Sequence, residues 1–161
     1  MANAAKLLKN NIGKLLASNQ ALTSQAAFVG IPQDKDARDD DAPINNATIG
    51  YIMDHGAPEQ NIPAREWLRP AIVIAQPKIV KQLEWGAQQA LAGNTAGPEQ
   101  ALNRAGLVGQ NAVRAYINSG ISPLLSDATI ANRRRRGRTG TKPLVDTGQF
   151  RNSVTYVIRK K

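Results

Sequence analysis

Apolar residues recur at helical spacing in three stretches of this sequence. The first lies in the N-terminal segment, residues 1–25, and predicts an amphipathic helix from Met1 to about Thr23. The second runs from Pro77 to Leu91, because proline suits the first position of a helix and Gly93 follows the last apolar residue. The third, Pro98–Asn118, repeats this design. The short turn between the last two predicts an antiparallel helical hairpin.

Two shorter apolar stretches, near either end of the chain, predict strands. The first is Ala26–Ile31, which Pro32 ends, and the second is Gln149–Ile158. The predicted fold class is therefore α+β, in one domain over residues 1–161. In it, a small antiparallel sheet that includes Phe28–Ile31 and Ser153–Arg159 packs against several α-helices joined by long loops.

The middle of the chain predicts two shorter helices. Ala47–His55 is helical, with Asn46 as its N-cap and Gly56 as its C-terminal stop. Ala64–Ile74 begins as a helix, and Pro70 is expected to limit or kink it.

Two long loops carry opposite charge. Residues 33–46 form an acidic loop with five aspartates, predicted to be a solvated surface loop, with a docking loop or a cation site as alternatives. The calcium-loop pattern is not met there. Residues 121–147 form the second loop, with one predicted helical turn at Ser126–Asn132 and a basic segment at 132–143.

The positive charge of this chain is confined to its C-terminal part. The net charge is +9, and residues 1–132 are neutral, with eleven basic and eleven acidic residues. The last 29 residues contain ten Lys or Arg and one acidic residue, Asp146. This asymmetry predicts a polyanion or an acidic protein surface as a partner.

The residues that enzymes need are scarce. Cysteine is absent, which excludes a zinc-thiolate site and a cysteine nucleophile, and His55 is the single histidine, with no His-plus-carboxylate cluster at metal-ligand spacing. Residues 137–142, GRTGTK, lack the spacing of a phosphate loop, and Pro143 stands where its helix would begin. We therefore expect no catalytic, metal or cofactor site. Nor do we expect a signal peptide or membrane span, because lysines interrupt the N-terminal apolar residues and no run of about 20 apolar residues occurs.

The arginine run consists of Arg133, Arg134, Arg135, Arg136 and Arg138. It has three interpretations at this level: non-specific phosphate binding, pairing with acidic groups of a neighbouring subunit, or a solvated loop. No aromatic residues are interleaved with it, so stacking on bases is unsupported.

Three segments, taken in order, resemble the tail-completion (neck, or virion-morphogenesis) proteins of tailed bacteriophages. The first is residues 46–56, NATIGYIMDHG, and the second is residues 62–70, IPAREWLRP, where Glu66 stands in place of the usual proline. The third is residues 123–134, PLLSDATIANRR, followed after a basic gap by residues 142–153, KPLVDTGQFRNS. The motif residues singled out as structural are Asp54, Gly56, Pro63, Trp67, Asp146, Thr147 and Gly148.

The resemblance implies a non-enzymatic virion protein, assembled in the host cytoplasm. It would form a homo-oligomeric ring, six-fold to match the tail, that completes the tail and joins it to the head. The implied partners are other copies of the chain, the head connector or adaptor, the tail terminator or tube proteins, and genomic DNA in the channel. Two alternatives stay open: a tail-terminator subunit, and a non-specific nucleic-acid-binding protein that uses Arg133–Arg138.

Two further arginines are interface candidates. Arg65 and Arg69 lie four residues apart, so on a helix they would share a face. We expect them to pair with Asp54 or Asp146, within the subunit or across an interface. The Asp146–Gly148 segment is predicted to be a turn that aims the final strand.

Overall fold

The computed structural model describes residues 23–38 and 43–161, together with residues 12, 13, 16, 17 and 20. The predicted N-terminal helix therefore lies almost wholly outside the described residues, as do Asp39–Asp41 of the acidic loop. The elements in chain order are β1 Gln25–Gly30, α1 Asn46–His55, α2 Arg69–Leu91, α3 Gly97–Ser119, α4 Asp127–Arg135, α5 Gln149–Ser153 and β2 Thr155–Lys160. Short 3-10 turns occur at Gln33–Lys35 and Pro58–Gln60.

The predicted α+β class is confirmed. Strands β1 and β2 form a two-stranded antiparallel sheet, and the backbone N–H of Lys161 donates to the carbonyl of Ser24 at 2.9 Å beyond its end. The described residues divide into two compact units. One contains the described residues up to Phe28, Gln76–Val108 and Val157–Lys161, and the other contains Val29–Ala75 and Gly109–Tyr156.

The larger unit, Val29–Ala75 with Gly109–Tyr156, has an apolar core. Its buried members are Trp67, Ala71, Val113, Ile117, Ile121, Leu144, Phe150 and Val154. Val29 of β1 packs against this cluster, which places the sheet beside the helices. Burial of each large apolar side chain contributes about 1.5–3 kcal/mol, so these few residues supply much of the stability of the unit.

The other unit contains the C-terminal part of α2, from Gln76, and the N-terminal part of α3, up to Val108, which together form the turn region of the helical hairpin. A Cβ built on Gly86 of α2 would lie 2.3 Å from the Cβ of Ala101 in α3, so the two helices touch at this point without intervening side chains. Ala90, Leu102 and Ala105 are buried. The predicted antiparallel hairpin is confirmed, and small residues permit its close approach.

The sequence predicted that Pro70 would limit or kink one helix and that Pro77 would begin another, and this prediction was wrong, because α2 is continuous from Arg69 to Leu91. Pro70 is its second residue, where no helical hydrogen bond is lost, and Pro77 lies inside the 23-residue helix instead of beginning a new one. An interior proline removes one bond of the helical ladder. Ala71 and Ala75, in the turns before Pro77, are buried.

The predicted final strand was wrong over its first half. Residues Gln149–Ser153 form the short helix α5, and the strand begins at Thr155. Gly148 precedes α5 with a φ of +85°, a conformation that suits glycine. Phe150 lies in this helical turn and is buried in the core.

The N-cap of α1 also differs from the prediction by one residue. Asn45 is the cap, and its side chain accepts a hydrogen bond from the N–H of Thr48 at 2.8 Å. Asn46 is instead buried, where its amide donates to the carbonyl of Ala37 at 3.2 Å and accepts from Arg38 at 3.3 Å. Asn46 thus ties the described part of the acidic loop to α1.

Candidate functional site

The three motif segments meet around the indole ring of Trp67. Its Nε1 donates to the carbonyl of Gly50 in α1 at 2.9 Å, and its ring contacts Phe150 of α5 edge-to-face, with centroids 5.1 Å apart. A Cβ on Gly50 would lie 3.0 Å from Trp67 Cζ2 and 3.3 Å from Phe150 Cε2. Gly50 was not predicted to be a packing position, although a glycine inside a helical pattern is a signal of close packing.

The second motif runs beside the C-terminal end of α1. The carboxylate of Asp54 accepts from the backbone N–H of Trp67 at 3.2 Å, and the N–H of Arg65 donates to the carbonyl of Met53 at 2.6 Å. Gly56 ends α1 with a φ of +77°, and a Cβ there would lie 2.7 Å from the backbone N of Ala64. Asp54 and Gly56 therefore hold the Pro63–Trp67 strand-like segment in place.

Arg65 joins the second motif to the third. Its side chain is 5% exposed, and it donates to the carbonyls of Pro123 at 2.6 Å, Leu124 at 3.2 Å and Pro63 at 3.4 Å. Burial lowers the pKa of the Arg65 guanidinium from its ordinary value. Carbonyl dipoles, not a carboxylate, compensate its charge.

The expectation that Arg65 and Arg69 share a helix face was wrong. Arg65 lies before α2 in extended chain and Arg69 is the first helical residue. Arg69 is exposed. Within the described part of the subunit, Asp54 accepts from Trp67 and Asp146 pairs with Arg133 and Arg138. Pairing of Arg65 or Arg69 with an aspartate across a subunit interface stays a prediction.

Helix α4 extends into the arginine run, which the sequence analysis placed in a loop. Ser126 caps the helix by accepting from the N–H of Thr129 at 3.3 Å. The helix continues through Arg135 and ends in a Schellman motif around Gly137, whose φ is +72°. Arginines in the last turn interact favourably with the helix dipole, which helps to explain why the helix extends this far.

The arginine run is divided by its contacts. Arg133 Nη1 donates to three carbonyls, those of Gly140 and Lys142 at 3.0 Å and Val145 at 3.2 Å. The carboxylate of Asp146 forms one ion pair with Arg133 Nε, at 3.6 Å, and a second ion pair with Arg138. A Cβ on Gly140 would lie 2.7 Å from the carbonyl oxygen of Val145, so glycine lets the loop close over Arg133. Arg133 and Arg138 are thus parts of the fold.

A turn was predicted at Asp146–Gly148 from its sequence. In the structure, the backbone N–H of Gln149 donates a hydrogen bond to Thr147 Oγ1 there, at 3.4 Å. Gly148 follows with its positive φ and begins α5, so the turn aims a helix and not a strand.

A basic surface remains after these contacts are assigned. It comprises Arg134, Arg135 and Arg136, which are exposed, with Lys142 and Arg151. Lys142 Nζ donates to the carbonyl of Asn118 at 2.6 Å, and Arg151 Nη1 donates to the side-chain oxygen of the same residue at 3.2 Å. Lys142 belongs to the basic segment predicted at 132–143, whereas Arg151 was not predicted to join it, because only their shared contact with Asn118 at the end of α3 brings the two together.

His55, the single histidine, contacts Tyr51 of the same helix. Its ring stacks on Tyr51, with centroids 4.2 Å apart, and Nδ1 lies 3.0 Å from the carbonyl of Tyr51. Over residues 23–38 and 43–161 there is no group of three His, Asp or Glu side chains placed to hold a metal ion. The described helices include none that is both long and apolar enough to cross a membrane.

Comparison with known proteins adds no relative: no family model, curated protein or solved structure matches this chain.

Proposed function

We propose that this chain is a structural subunit of the neck of a long-tailed bacteriophage, where a homo-oligomeric ring completes the tail and joins it to the head connector. The proposal comes from the ordered resemblance of three segments to tail-completion proteins. It assigns the chain a role through shape and subunit contacts, without turnover.

The observation that supports this proposal is the convergence of those segments in one core. Residues as distant in sequence as Gly50, Trp67 and Phe150 touch one another, and Arg65 binds the carbonyls of Pro123 and Leu124. Motif residues that pack and hydrogen-bond to one another specify a shape. Residues of an enzyme motif would instead gather titratable groups around an open site.

The decisive experiment is cryo-electron microscopy of the intact phage particle, with density examined at the head–tail junction. We expect copies of this chain to form a closed ring there, with the same surface of each copy against a different surface of the next. A particle whose junction contains no copies would overturn the proposal.

A genetic test separates tail completion from the tail-terminator alternative. If the chain completes the tail, cells that lack it should accumulate DNA-filled heads and tails of normal length that do not join. A terminator ends growth of the tube, so its loss should leave tubes of irregular length. Electron microscopy of the lysate distinguishes the two outcomes, and plasmid-borne wild-type chain should restore joined particles.

A further inference from the structure

We infer that the basic surface formed by Arg134, Arg135, Arg136, Lys142 and Arg151 binds the phosphate backbone of double-stranded DNA without base specificity. This inference rests on the proposed function for the identity of the DNA, the phage genome, while the binding itself is a property of the surface.

The first support is uncompensated charge. Between Arg133 and Arg151 the sequence carries seven basic residues and one acidic residue, Asp146. That carboxylate is occupied by Arg133 and Arg138. Arg134, Arg135 and Arg136 form no ion pair with the described residues, and their exposed guanidinium groups keep their full charge toward solvent.

The second support is that the surface is held in place by the fold. Arg133 donates to the carbonyl of Lys142, and the side chains of Lys142 and Arg151 both bind Asn118 at the end of α3. This chain of hydrogen bonds joins the last turn of α4 to α5. The side chains of Lys142 and Arg151 are therefore held by the fold beside the end of α4, and less of their conformational entropy is lost when they bind a partner.

The third support is the chemistry of the surface, which favours nucleic acid over protein. Every residue from Arg133 to Lys142 is charged, polar or glycine. Protein interfaces have an apolar centre from which charged residues are depleted, whereas interfaces with DNA are polar and strongly positive. Exposed ion pairs with a protein contribute about 0–1 kcal/mol each. Phosphates add the favourable release of condensed counterions.

Base specificity is not expected. Consecutive residues of a helix point about 100° apart, so Arg134, Arg135 and Arg136 spread around the end of α4 and do not form one reading face. No aromatic residue lies in the run to stack on a base. Contacts of this kind position a duplex without selecting its sequence.

The test measures binding of a fluorescent 30-base-pair duplex by anisotropy at several salt concentrations. The variant is Arg134→Gln/Arg135→Gln/Arg136→Gln, and the matched control, Lys35→Gln/Lys78→Gln/Lys81→Gln, removes the same charge from exposed lysines elsewhere. The slope of log affinity against log salt should fall by up to about 2.7 in the variant, at about 0.9 per lost phosphate contact. The control should keep most of the wild-type slope, and circular dichroism should show both variants folded.

Three results would overturn the inference: no binding of the duplex by wild-type chain at 50 mM salt, an equal loss in variant and control, or tighter binding of polyglutamate than of DNA. The last would reassign the surface to an acidic protein partner. These results are independent of the neck proposal. A ring seen at the junction without DNA binding in solution would remove this inference alone. Absence from the particle would remove the neck proposal, and with it the identity of the DNA as the phage genome, but not the binding of duplex DNA.

Discussion

The indole Nε1 of Trp67 donates a hydrogen bond to the main-chain carbonyl of Gly50 at 2.9 Å. The ring lies against α1 at Gly50, which has no side chain to obstruct it. The bond satisfies a buried polar group, and the missing Cβ makes room for the ring. Trp67 then contacts Phe150 edge-to-face, a geometry that adds about 0.5–1.5 kcal/mol to the burial of the rings. Gly50 is therefore required for packing, although glycine is unfavourable inside a helix.

We expect Gly50→Ala to destabilise the protein. Alanine gains about 1 kcal/mol of helix propensity, but overpacking against Trp67 and Phe150 costs about 1–3 kcal/mol. Urea unfolding followed by tryptophan fluorescence measures the difference. Gly30→Ala is the control, because a Cβ at Gly30 meets nothing within 4 Å. If the Gly50→Ala protein were as stable as the Gly30→Ala control, packing of the Trp67 ring would not require a glycine at residue 50.

Arg65→Met should lower the free energy of unfolding by about 2–4 kcal/mol. The substitution removes the hydrogen bonds from the buried guanidinium to the carbonyls of Pro123 and Leu124, at about 1.5–3 kcal/mol for each bond from a charged donor, and partly offsets this by removing a buried charge. The free energy of unfolding of Arg65→Lys should lie between those of wild type and Arg65→Met, since an ammonium group cannot make the paired hydrogen bonds of a guanidinium. Arg69→Met, at an exposed residue, should stay within about 0.5 kcal/mol of wild type. Equal losses at residues 65 and 69 would contradict the assigned contacts.

The arginine run should respond unevenly to substitution. Arg133→Met removes three hydrogen bonds to carbonyls and an ion pair, and we expect it to cost about 2–3 kcal/mol, since bonds from charged donors contribute most. Arg138→Met removes one partly exposed ion pair, worth about 0–1 kcal/mol. Arg135→Met should leave the melting temperature nearly unchanged. Differential scanning calorimetry of the three variants checks this order of stability losses. A loss in Arg135→Met as large as that in Arg133→Met would contradict the distinction between structural and exposed arginines.

The helical hairpin offers a compensation test. Gly86→Ala places a methyl group where the Cβ of Ala101 would be 2.3 Å away, so α2 and α3 must separate, at a cost of about 1–3 kcal/mol. Adding Ala101→Gly removes the clash and should recover most of the loss. Neighbouring residues that share one contact are not additive, and a double-mutant cycle by chemical denaturation measures that coupling. Additive effects of the two substitutions would indicate that the helices do not touch here.

The sequence by itself determined the elements that follow from local rules. Periodicity located the hairpin helices, the glycine at 56 ended α1, and the helical turn predicted at Ser126–Asn132 lies at the start of α4. Such features depend on backbone dihedrals and on side chains within a few residues, so the order of residue types is enough to predict them.

Tertiary structure decided the features that depend on contacts between distant residues. Val113 and Ile117 of α3 enter the core, Pro77 stays inside α2, and the residues around Phe150 are helical while its ring is buried in that core. The arginines look equivalent in sequence. Arg133 is taken into the fold by the carbonyls of Gly140, Lys142 and Val145, whereas Arg134, Arg135 and Arg136 remain exposed. A charge becomes structural or available to a partner according to which buried acceptors the chain brings within about 3 Å of it, and this follows from loop closure and packing, not from residue type.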